Sequence, residues 1–202
     1  MLALMRARAV RPVGFTLIEL MVTLAIAAIL MMVAVPSFTA FQRNAELTAT
    51  ANTFLAAINS ARSEAMKRNL PAVVLPLGTG WASGWTVFVD MDRDNTLSSG
   101  DITLAVQPAL KSYFTIVANS GSATGSTPYI RFDGSGYPKT TTTGASYAVS
   151  SAGVNMSIMR NDVSGNTQVQ NTRYLVVAIT GRGRVCTPAS ASDTNCNSSS
   201  TN

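Results

Sequence analysis

Gly14-Phe15-Thr16-Leu17-Ile18-Glu19-Leu20 opens an apolar run that reaches Val35 and contains a single charge, Glu19. Arg6, Arg8 and Arg11 stand ahead of it. A basic start followed by an apolar stretch suits a cleaved secretory signal, but such a core rarely holds a carboxylate and is cut after the core at small residues. It also suits a plain membrane anchor, where a charged carboxyl costs on the order of 3 kcal/mol or must be protonated. Neither reading gives Glu19 a task.

The same seven residues resemble, nearly letter for letter, the processing motif of type IV pilins and type II secretion pseudopilins. The resemblance implies cleavage between Gly14 and Phe15 by a prepilin peptidase on the cytoplasmic side, then methylation of the new Phe15 amine. Residues 1–14 are then a leader, and the apolar helix stays on the product. Glu19 lies about one helical turn from a cationic N-terminus, its own or a neighbour's. In the apolar centre of a filament that pairing compensates the buried charge and sets subunit register. Other pilin subunits and the inner-membrane assembly machinery are the implied partners.

Leu20 to Val35 carries no charge, and the full run approaches the roughly 20 residues that span a bilayer. Residues 15–41 are therefore expected as a transmembrane and filament-core helix that Pro36 kinks. Beyond it, Leu47, Ala51, Phe54, Leu55, Ile58, Ala61 and Ala65 recur at helical spacing as a stripe for core packing. Lys67 and Arg68 suit a last turn, and Pro71 ends the helix.

Residues 42–202 read as a periplasmic or extracellular head. Trp85–Val89 and Ile102–Val106 flank an acidic loop as a hairpin. Tyr129–Phe132 ends at the turn cluster Asp133-Gly134-Ser135-Gly136, and Val154–Ile158 and Tyr174–Ile179 are further strands. The Gly/Ser/Thr-rich stretches 118–128 and 140–146 read as loops. The expected class is α+β: one long helix, half in the membrane and half packed on an antiparallel sheet. Trp81, Trp85 and Tyr137 read as core or sheet-face residues, with base stacking as the alternative.

Composition narrows the chemistry. Of 202 residues 12% are charged, about half the ordinary share. Loss of the three leader arginines lowers the formal charge from +5 to +2, so an anionic partner needs local clustering. There is no histidine, which removes His-based metal sites and Cys–His nucleophiles. No Ser-x-x-Lys pair or nucleophile-elbow sequence stands in for them, and no enzyme is expected. Cys186 and Cys196, the only cysteines, read as one disulfide of an exported chain. The Ser/Thr/Asn tail beyond Cys186 carries little signal.

Two constellations remain. Asp90, Asp92, Asp94, Thr96, Ser98 and Asp101 occupy positions 1, 3, 5, 7, 9 and 12 of a calcium-type loop. Against calcium, Asn95 stands where Gly is usual, Asp101 is shorter than the usual Glu, and strands flank the loop. The favoured reading is a solvated loop whose carboxylates cap its own backbone; no cofactor is otherwise expected. The second constellation is Gly181-Arg182-Gly183-Arg184. Two arginines at alternate positions of an extended segment project to one side, their forked donors suit phosphate, and flanking glycines let a backbone approach.

Gly84 to Asp90, the acidic loop, the Phe132–Gly136 turn and Gly181 to Cys186 together resemble the FimT/GspH group of minor pilins and pseudopilins. That resemblance covers most of residues 14–186. The Gly-Arg-x-Arg pattern resembles a DNA-binding motif of FimT-type pilins in naturally competent bacteria. It implies a minor pilin at the pilus tip that takes up DNA in natural transformation, with Arg182 and Arg184 as phosphate contacts. Arg173, Arg160 and Lys139 are further candidates. The alternatives are a structural minor pilin for assembly, adhesion or twitching motility, and a type II secretion pseudopilin. The expected location is the inner membrane before assembly and the cell surface after it.

Overall fold

The computed structural model describes residues 14–120, 128–141, 147–149 and 153–199. The leader, apart from Gly14, and most of the two loops expected at 118–128 and 140–146 lie outside these residues. The chain divides into two compact units, Met1–Arg43 and Asn44–Asn202.

The first unit holds the start of helix α1, Leu17–Arg68. Thr16 and Glu19 form a reciprocal cap there: the Glu19 amide donates to Thr16 Oγ1 at 3.2 Å, and the Thr16 amide to Glu19 Oε2 at 3.5 Å. Each satisfies an amide that the first helical turn leaves without a partner. The helix continues through Pro36. Among the described residues α1 is one helix long and apolar enough to cross a membrane.

In the second unit the expected stripe is the core face of α1. Leu47, Ala51, Phe54, Ala57, Ile58, Ala61 and Ala65 are buried, while Leu55 is only partly so. Four of the seven are alanines, which let strands come close to the helix axis. Phe54 fills the remaining depth against Trp81 and Trp85, with ring centroids 5.4 and 4.5 Å away. The helix ends at Asn69, which adopts a left-handed φ of 53°, two residues before Pro71.

Among the described residues ten strands follow, in two antiparallel sheets rather than the one expected. The first has β1 (Ala72–Pro76), β2 (Trp85–Val89), β3 (Ile102–Gln107), β5 (Ile130–Phe132), β6 (Pro138–Thr141) and β7 (Tyr147–Val149), in the order β3-β2-β1-β5-β6-β7. The second has β4 (Phe114–Ser120), β8 (Val154–Arg160), β9 (Thr172–Val177) and β10 (Gly183–Cys186), in the order β10-β9-β8-β4. Pro108 follows β3 and cannot donate to a ladder, so the chain leaves the first sheet there. Leu110 then turns it back, its amide on Ala82 O at 3.0 Å. Trp85, Val87, Ile130 and Phe132 from one sheet, and Met156, Ile158, Leu175 and Val177 from the other, close on the α1 stripe as one core. Helix α2, Gly165–Gln170, is short and buries no residue, which explains why no periodicity announced it.

Candidate nucleic-acid interface

The Gly-Arg-x-Arg segment forms the turn between β9 and β10. The Gly181 amide donates to Ala178 O at 2.8 Å, and the Ala178 amide to Arg182 O at 2.9 Å, which closes the hairpin. Gly181 has φ 81°, and a Cβ there would lie 2.1 Å from Gly136 O. Only glycine fits, because this turn lies directly on the Asp133–Gly136 turn. A Cβ at Gly183 would stand 2.7 Å from Leu55 Cδ1. Both glycines therefore face packed protein, and the expected approach of a phosphate to them is corrected: a second backbone and α1 hold that space.

Arg62 of α1, which the sequence reading passed over, holds both turns from beneath. Its Nε donates to Gly136 O at 3.0 Å and its Nη2 to Thr180 O at 3.2 Å. On this support Arg182 is exposed, and among the described residues its side chain has no hydrogen bond or ion pair. Arg184, half-buried on β10 opposite Val176, donates from Nη2 to Asn195 O at 3.0 Å. Arg182 lies opposite Ala178, so the two-residue alternation continues from the strand into the turn.

The tail that carried little signal is organised by Asp193. Its carboxylate accepts the amides of Ala189, Asn195 and Cys196 at 3.0, 2.9 and 3.2 Å. These amides, Ala189 and Asn195 foremost, hold its carboxyl below the usual range. Cys186 and Cys196 are joined by a disulfide. Asn155 Nδ2 donates to Asn197 O at 3.0 Å, which lays the tail on β8.

Two of the three auxiliary cations are buried in bonds of their own, and the third pairs with a carboxylate of the Asp133–Gly136 turn. Arg160 is 3% exposed and grips Asp162 with Nε and Nη2 at 2.9 and 2.7 Å, a pairing that raises its pKa. Arg173 is 8% exposed, and its donors end on Gln170 O, Thr172 O, Asn44 Oδ1 and Thr48 Oγ1 at 2.9 to 3.2 Å. Burial lowers its pKa. Lys139 pairs with Asp133 at 3.0 Å. The expectation that Arg160 and Arg173 contact DNA is corrected, since both are buried anchors of strand ends; Lys139 pairs with a carboxylate of the turn that Gly181 touches. Strand periodicity could not reveal this, since it does not report partners outside the strand such as Asp162, Asn44 and Thr48.

The acidic loop is built around Asp90, at the buried end of β2. Its carboxylate accepts the amides of Arg93, Asp94 and Asn95 at 2.7, 3.1 and 3.2 Å and meets Arg131 Nη1 at 2.8 Å. Arg131 also donates to Asn95 Oδ1. Burial pushes the Asp90 carboxyl up, against those amides and Arg131. Asn95 takes a left-handed φ of 64°, as the turn requires. Asp90, Asp92 and Asp94 bring carboxylate oxygens within 4.8 Å of one another. Asp101 turns elsewhere, to the amides of Met91 and Ser98 at 2.8 and 2.7 Å. Asp94 caps Thr96 N at 2.7 Å. A calcium ion among the first three would share Asp90 with a guanidinium and lack the twelfth-position carboxylate. The donor set fits a self-capped loop better than a cation cage.

The family model described as type II transport protein GspH matches residues 50–183, more than half of the chain. The prokaryotic N-terminal methylation motif matches residues 14–35. Two crystal structures of the type IV minor pilin FimU of Pseudomonas aeruginosa are similar. One has 18% identity and a TM-score of 0.47 and covers 71% of this chain and 98% of that one. The other has 17% identity and a TM-score of 0.45 and covers 74% and 98%. None of the curated proteins matches.

Proposed function

From the premise that this chain belongs to the family of the type II transport protein GspH, minor pilins and pseudopilins that assemble with other pilin subunits after prepilin processing, we propose that its head binds DNA phosphates through Arg182 and Arg184. On this reading the apolar helix anchors the chain in the inner membrane before assembly, the head faces the periplasm, and the assembled subunit sits at the pilus tip. Its task is capture of DNA for natural transformation.

The observation that carries the reading is Arg182: an exposed guanidinium on a turn fixed by Gly181, Gly136 and Arg62. A preset turn loses little entropy on binding. Arg182 and Arg184 contact the sugar-phosphate chain and not base edges, so binding is sequence-tolerant and salt-sensitive. With two contacts, affinity per subunit is modest.

The test is fluorescence anisotropy of a labelled mixed-sequence duplex with the mature chain in detergent micelles at low salt. Arg182→Gln with Arg184→Gln is expected to abolish binding while the melting temperature holds. If the wild-type chain never binds, the structural minor pilin or secretion pseudopilin takes its place. If the double variant binds as tightly as wild type, the residues are wrongly assigned.

A further inference from the structure

Two turns meet at this end of the head. Gly181 and Gly136 touch across them, and Arg62 donates to both. Each turn is followed by an exposed side chain of different chemistry: Arg182 after Gly181, and Tyr137 after Gly136. Tyr137 is 43% exposed, and among the described residues its phenol and ring have no partner. Its backbone, by contrast, is fixed: the Tyr137 amide donates to Asp133 Oδ1 at 3.2 Å, and Tyr137 O accepts the Asp133 amide at 3.3 Å. The Asp133 charge, which would repel phosphate, is paired with Lys139. Met66 and Ile179, also exposed, border the turns. The two tryptophans weighed beside Tyr137 for stacking, Trp81 and Trp85, are core residues instead.

We propose that this pair of turns selects single-stranded over duplex DNA, with Arg182 on a phosphate and the Tyr137 ring stacked on an unpaired base. The proposal rests on the DNA-binding reading above and names the substrate class of that same site. A lone guanidinium releases about 0.9 counterions per phosphate from a duplex and about 0.7 from a single strand, so charge alone does not favour the single strand. An exposed aromatic on the adjoining turn adds attraction only where a base face is free, and every base offers a face, so the gain is sequence-tolerant. In a duplex the bases are stacked on each other, and Tyr137 reaches only the backbone.

The test compares a labelled 20-nucleotide single strand with its duplex, at equal ionic strength, on the mature chain in detergent micelles. The single strand is expected to bind more tightly. Tyr137→Ala is expected to weaken single-strand binding by roughly 5- to 160-fold, the span of one base–aromatic stack, and to leave duplex binding unchanged. Tyr137→Phe keeps the ring and is expected to restore single-strand affinity. An unshifted melting temperature in both variants excludes a folding effect. If the duplex binds as tightly as the single strand, or Tyr137→Ala lowers both equally, this inference is overturned while the DNA-binding reading stands. If neither form binds the wild-type chain, the earlier reading fails and this one with it.

Discussion

Arg131 of β5 lies 2.8 Å from the Asp90 carboxylate at the end of β2, and both side chains are almost wholly shielded from water. β1 runs between their strands, so this pair joins three strands and anchors the acidic loop. Removing the cation strands a buried carboxylate. Arg131→Met is therefore expected to cost about 3–5 kcal/mol in urea unfolding. Adding Asp90→Asn, which removes the orphaned charge, is expected to recover part of that loss. A double variant as unstable as the sum of the single variants would show that the two residues act independently.

Gly181 offers a backbone test of the candidate site that leaves its charges in place. Gly181→Ala sets a Cβ 2.1 Å from Gly136 O at a φ that L residues seldom adopt. The turn must shift or strain by about 1–3 kcal/mol. The expected outcome is a lower melting temperature with weakened DNA binding, although Arg182 and Arg184 remain. Unchanged DNA affinity in this variant would mean that the fixed turn is irrelevant to binding.

The long helix was readable because two local signals agree: a run free of charge from Leu20 to Val35, and a stripe at three- and four-residue steps from Leu47 to Ala65. The β2–β3 hairpin was readable for the same reason, with turn-forming residues between two apolar runs. What stayed hidden was long-range. Nothing near Arg173 in sequence shows that its guanidinium ends on Asn44 and Thr48 of α1, whereas Asp162, the partner of Arg160, stands only two residues on and could have been found. Arg62 carries no local signal, and its role appears only once two turns descend on it. Thr16-x-x-Glu19 is a capping-box signature that could have been found, but Glu19 had already been given its task in assembly.

Asp193 makes the C-terminal loop acid-sensitive. Its carboxyl is depressed in the folded chain by the Ala189 and Asn195 amides. A depressed folded pKa means that stabilisation is present above the unfolded value and is lost as pH falls through the folded one. Stability is expected to fall between about pH 4 and the lower folded value, and the Ala189, Asn195 and Cys196 amides are expected to shift in NMR spectra as pH passes through that folded value and their acceptor is protonated. Asp193→Asn is expected to remove that pH dependence. Persistence of the shifts in this variant would assign them to another group.

The Asp90 loop separates two outcomes on adding calcium to chelator-treated protein. Asp90 is bonded to Arg131, and Asp101 to the Met91 and Ser98 amides, so the expected result is no calcium-specific rise in melting temperature beyond that of sodium chloride at equal ionic strength. A rise that saturates, and that Asp92→Asn with Asp94→Asn removes, would instead identify a metal site held by the three converging carboxylates.

The salt dependence of duplex binding counts the cations in contact. Two phosphate contacts predict a slope of log affinity on log salt of about −2, and loss of Arg182 predicts about −1. Arg160 and Arg173 are bonded inside the head. Arg160→Met and Arg173→Met are thus each expected to lower stability by about 1–3 kcal/mol and to leave the slope unchanged wherever the protein stays folded. A slope near −4 in the wild type, reduced by these two substitutions, would return both arginines to the interface. A slope near −2 confines the electrostatic contact to the one turn that Arg62 holds in place.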